Sequence, residues 1–108
     1  MANEHRNTRW YKHMAEIDRE IAVNAVNCKV PILDPGVIER VLAKDSSVCG
    51  TQNAASFAKL RSLLMMHYSV RDRAVVALGQ AETVAMVGEI VDRLRTQVGD
   101  KLGGAPRS

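Results

Sequence analysis

Three histidines and two cysteines hold most of the reactive chemistry in this chain: His5, His13, His67, Cys28 and Cys49. Zinc sites need several donors converging on one point, so their ligands recur in short, paired spacings such as Cys-x-x-Cys. No such pair occurs here. The best local cluster is His13, Glu16 and Glu20, at intervals of three and four residues. At about 100° per helical residue these side chains share a sector about 60° wide. They are the expected ligands if the protein binds a metal. Their sector flanks the apolar stripe of the same helix instead of coinciding with it, which fits a solvated face better than a metal site.

His67 lies inside an apolar stripe, beside Met65, Met66 and Tyr68. A histidine so placed is expected to be half-buried and to donate one hydrogen bond across a bundle. The His-x-x-Lys-Gly pattern of four-helix phosphotransfer domains is not met, because Val70 and Arg71 occupy those positions. Cys28 and Cys49 have no neighbouring base to activate them, and the serines fall in predicted caps and loops. Gly99, Gly103 and Gly104 follow a helix and do not open one, so they make no phosphate-cradling loop. No catalytic set and no cofactor motif is present, and an enzyme is not expected.

The remaining chemistry is basic. Lys59, Arg71 and Arg73 are the candidate nucleic-acid contacts. On one continuous helix Lys59 and Arg73 lie about 40° apart, but Arg71 points elsewhere. A helix-turn-helix joins its helices through a turn of about three or four residues, whereas the predicted loop runs from Asp45 to Gln52. Nucleic-acid binding is therefore the alternative to the reading favoured below. The net charge of +3 is a small excess of fifteen basic over twelve acidic residues, with no run of like charge that would make a binding tail.

The elements that must position these residues are helical. The chain has 108 residues, 46% apolar and 25% charged, which suits one globular domain. Aromatic residues make up only 4%, so the core must be aliphatic. No apolar run reaches the roughly 20 residues of a membrane span. The polar start Met1-Ala2-Asn3-Glu4-His5-Arg6 leads to no apolar signal segment. A cytoplasmic protein with reduced loop cysteines and no membrane partner is expected.

Periodicity predicts four helices and no strand. The first spans about Thr8 to Val26, with Trp10, Met14, Ile17, Ile21 and Ala25 as its stripe; Pro31 is expected to end it. The second spans Pro35 to Lys44, with Asp34 as its cap and Leu33 stapled on Ile38. The third spans about Asn53 to Leu78, with Phe57, Leu60, Leu64 and His67 inward and a possible bend near Ser69. Gly79 ends it. The fourth spans about Ala81 to Val98 and carries a coiled-coil-like seam of Val84, Val87, Val91, Leu94 and Val98. Gly88 costs this helix about 1 kcal/mol relative to Ala, and close approach of another helix is the expected compensation.

The expected fold is all-α: a small bundle of about four helices with a C-terminal antiparallel helical hairpin. A flexible N-terminus (1–7), one helical domain (8–98) and a flexible tail (99–108) are expected. So much aliphatic surface on a short chain predicts an interaction module that self-associates, a dimer being favoured, with another protein partner as a further option. The predicted interface is Val84, Val87, Gly88, Val91 and Leu94.

Overall fold

The computed structural model describes residues 9–48 and 54–102. Four α-helices follow one another: α1 (Arg9–Cys28), α2 (Val37–Leu42), α3 (Ala54–Leu78) and α4 (Gln80–Val98). Short 3-10 turns lie at Ser46–Val48 and Gly99–Leu102. Among the described residues there is no strand, and the fold is the small all-α bundle that the periodicity predicts. No described helix is long and apolar enough to cross a membrane.

α1 buries Tyr11, Met14, Ile17, Ile21 and Ala25. This is the predicted stripe with one change: Tyr11 goes inward, while Trp10 stays half-buried with the Arg9 guanidinium 5.9 Å from its ring. The helix outlasts its predicted end by two residues, because backbone hydrogen bonds and not Pro31 terminate it. The amide of Lys29 donates to the carbonyl of Val26 at 3.1 Å, and that of Val30 to Ala25 at 2.8 Å. With Lys29 at φ 58°, this is a Schellman motif built on lysine in place of glycine. α2 ends the same way: Lys44 has φ 66°, and Lys44 and Asp45 donate to Val41 and Arg40.

The start of α2 corrects the sequence reading. Asp34 does not cap it. Its carbonyl accepts from the Val37 amide at 3.2 Å, which closes a turn with Pro35 second and Gly36, at φ 80°, third. That is the residue pattern of a type II turn. The helix begins only at Val37, with Gly36 as a cap that offers no side-chain bond.

α3 is continuous through Ser69 and buries Phe57, Leu60, Leu64, His67, Val70 and Ala74. Gly79, at φ 93°, is the whole connection to α4. Its amide donates to Val75, and its carbonyl accepts from both the amide and the hydroxyl of Thr83. The predicted antiparallel hairpin follows directly. α4 lies along α1 in the same direction: Ile90 and Arg93 share a groove with Tyr11 and Ala15, and Val98 shares one with Val23 and Val26. Arg93 donates to the Tyr11 hydroxyl at 3.0 Å across that contact. α1, α3 and α4 thus form three passes, with α3 antiparallel to the other two and α2 against one end of α3, where Arg61 donates to the Leu42 carbonyl at 3.0 Å. The largest fully buried side chains are Met14, Leu60 and Met86, one from each pass.

Two further expectations change. The inward face of α4 is Thr83, Met86 and Ile90, one residue behind the predicted seam. Residues 99–102, expected as the start of a loose tail, turn back onto the bundle and bury Leu102.

Candidate functional site: an apolar cavity over the Asp18–His67 pair

Antiparallel α1 and α3 bring a carboxylate and an imidazole together inside the bundle. His67 Nδ1–H donates to Asp18 Oδ1 at 2.5 Å, with side chains only 10% and 6% exposed. A carboxylate has only lone pairs to offer, which places a proton on Nδ1. The hydrogen bond expected of His67 is therefore present, and its partner is a residue that the sequence reading missed. Asp18 follows Met14 by four residues and precedes Ile21 by three, so it stands on the apolar stripe of α1. A carboxylate on one stripe and a histidine on the facing stripe is the signal that would have found the pair. Tyr68 stands edge-on to the His67 ring, with centroids 5.0 Å apart.

The pair sits in the wall of a cavity of about 150 Å³. Ile21 and Ala22 of α1, Leu64 of α3, and Val87, Val91 and Leu94 of α4 supply much of its apolar lining. Ile32, Leu33, Ile38 and Leu102 complete that lining, and Asp18, His67, Tyr68 and Arg71 are its polar groups. Asp18 Oδ2 is buried with no hydrogen-bond partner among the described residues. A buried oxygen left in that state loses its hydration without compensation. The geometry suits holding or passing a proton at His67. Among the described residues no serine, threonine or cysteine lines the cavity.

The other predicted residues are dispersed. His13 and Glu16 are exposed and Glu20 is half-buried; among the described residues no three His, Cys, Asp or Glu side chains converge as metal ligands. The trio is a helix face. Lys59 and Arg73 are exposed, while Arg71 turns into the cavity wall, so the three do not make one surface. α2 ends at Leu42, two residues before its predicted end. Cys28 is fully buried as the last residue of α1, not in a loop; Cys49 and His5 lie outside the described residues.

The predicted interface set lies along one side of α4. Val84 is 46% exposed, Val87, Val91 and Leu94 are half-buried, and Gly88 is exposed. A methyl group added at Gly88 meets nothing within 4 Å, so the expected close approach of a second helix is not made among the described residues. Away from the cavity, Asp45 accepts from the Arg40 guanidinium at 3.0 Å and from the Ser47 hydroxyl at 2.6 Å. The Ser47 hydroxyl, then Arg40, hold its carboxyl below the usual aspartate range.

Compared with known protein families, curated proteins and solved structures, the chain matches none.

Proposed function

We propose that the protein is a small interaction module that self-associates, as a dimer, through the outer ridge of α4: Val84, Gly88 and Val91, with Val87 and Leu94 on its inner shoulder. The observation that carries this reading is the 46% exposure of Val84 on a helix whose inward contacts are made by Thr83, Met86 and Ile90. Fully burying an exposed valine is worth about 1.5–3 kcal/mol, so a partner that covers this ridge gains the fraction of that which each valine still exposes. The open space at Gly88 lets a partner backbone approach closely. Val76, 89% exposed just before the Gly79 turn, adds apolar surface near the start of α4. The proposed setting is cytoplasmic.

Light scattering at micromolar concentration is the direct test. The expected mass is twice that of the chain. Val84→Glu is expected to halve it while leaving helicity unchanged, since a half-exposed side chain tolerates the charge. A wild-type monomer at these concentrations overturns the reading.

A further inference from the structure

We propose that the cavity beside Asp18 and His67 is a binding site for a compact, uncharged, largely apolar molecule carrying one hydroxyl group, of about the size of phenol. Three observations carry this.

The first is size. The cavity is partly open to solvent, and its volume of about 150 Å³ is that of an engineered core cavity which takes up a benzene ring. The second is the unpartnered oxygen. Asp18 is 5% exposed and lines the cavity, yet its Oδ2 has no donor among the described residues. Its Oδ1 is occupied by His67. A ligand hydroxyl donating to Oδ2 removes the desolvation penalty on that atom, and the apolar walls take the rest of the molecule. The third is charge. Asp18 and Arg71 line the same space with opposite sign. An ammonium group faces Arg71, a carboxylate faces Asp18, and a neutral donor meets neither repulsion.

The site is formed within one chain, although Val87, Val91 and Leu94 of its lining also belong to the proposed α4 interface. The test is titration of the full-length protein, followed by amide NMR shifts, with phenol, benzene and benzoate. Phenol is expected to bind saturably, with shifts centred on Ile21, Leu64, His67 and Leu94, and at least tenfold more tightly than either comparison compound. Asp18→Asn is expected to reduce phenol binding to the benzene level while leaving benzene unchanged. Ile38→Phe, a change at a half-buried wall position, is expected to fill the space and abolish binding of both. Equal affinity for phenol and benzene overturns the proposal, as does phenol binding without saturation. If Asp18→Asn fails to fold, Ile38→Phe decides, and wild-type phenol affinity in that folded variant also overturns it. Light scattering on the same samples separates the two readings: a monomer that binds phenol keeps this site and removes the α4 interface, and a dimer indifferent to phenol does the reverse.

Discussion

The amide of Leu33 donates to the carbonyl of Leu102 at 2.7 Å. One hydrogen bond thus fastens the end of the described chain to the segment that links α1 to α2. Leu102 is 3% exposed and lines the cavity, so the segment after α4 acts as a wall of the bundle. Leu102→Ala is expected to cost about 2–5 kcal/mol, the usual range for truncating a buried leucine. Urea denaturation followed by circular dichroism measures it. A loss under about 0.5 kcal/mol, typical of a surface change, would return residues 99–102 to the status of a tail.

The Asp18–His67 pair predicts an asymmetry. His67→Ala leaves a buried carboxylate with neither oxygen bonded, and breaking a buried pair in this way costs about 3–5 kcal/mol. The double variant Asp18→Leu, His67→Leu removes both polar groups together and is expected to recover most of that loss. Denaturation midpoints of wild type, single and double variants supply the comparison. A double variant no better than His67→Ala would mean that the pair's shape matters and its polarity does not.

Both Schellman motifs carry a lysine where the backbone asks for glycine. A left-handed residue with a side chain pays about 1–2 kcal/mol, partly offset by the greater freedom glycine loses on folding. Lys29→Gly and Lys44→Gly are each expected to raise stability by up to about 1 kcal/mol. Lys29→Ala, which keeps the unfavourable φ, is expected to give no such gain. Thermal unfolding of the three variants reads this directly.

Gly88 separates the chain's own stability from its association. With nothing within 4 Å of an added methyl, Gly88→Ala is expected to stabilise the isolated protomer by about 1 kcal/mol through helix propensity. In the proposed dimer the same methyl obstructs the partner, so the mass measured at fixed concentration is expected to shift towards monomer. Stabilisation with unchanged dimer affinity would exclude Gly88 from the contact.

Asp45 predicts a pH response. Its carboxyl is held below the ordinary value of 3.8, chiefly by the Ser47 hydroxyl and then by Arg40. A depressed folded value means that the clasp contributes fully above the unfolded aspartate value and is lost as pH falls through the lower one. NMR titration of the Asp45 carboxyl is expected to show a midpoint below 3.8, which Ser47→Ala moves back up.

The three long helices are legible in the sequence because each buries a stripe at three- and four-residue spacing. Met14, Ile17 and Ile21, and Phe57, Leu60 and Leu64, fall where periodicity puts them. The rotation of α4 is not legible, because two apolar sectors lie side by side on it. Valines mark one, whereas the other includes Thr83, a residue that reads as surface. Thr83 is cheap to bury, since its hydroxyl is already bonded to the Gly79 carbonyl within the hairpin. The helix ends are hidden for a related reason: Lys29 and Lys44 are poor local signals for left-handed backbone, and hydrogen bonds to the preceding turn override them. Asp18 escaped notice because a carboxylate on an apolar stripe gains its meaning only from what faces it. Leu102 lies beyond Gly99 with no periodicity to announce it.

An odd number of passes fixes where the described chain starts and stops. Because α1 and α4 point the same way, residue 9 lies at the end of α1 remote from the Leu33–Leu102 hydrogen bond. A pull applied between residues 9 and 102 runs along the helices instead of peeling them from one end.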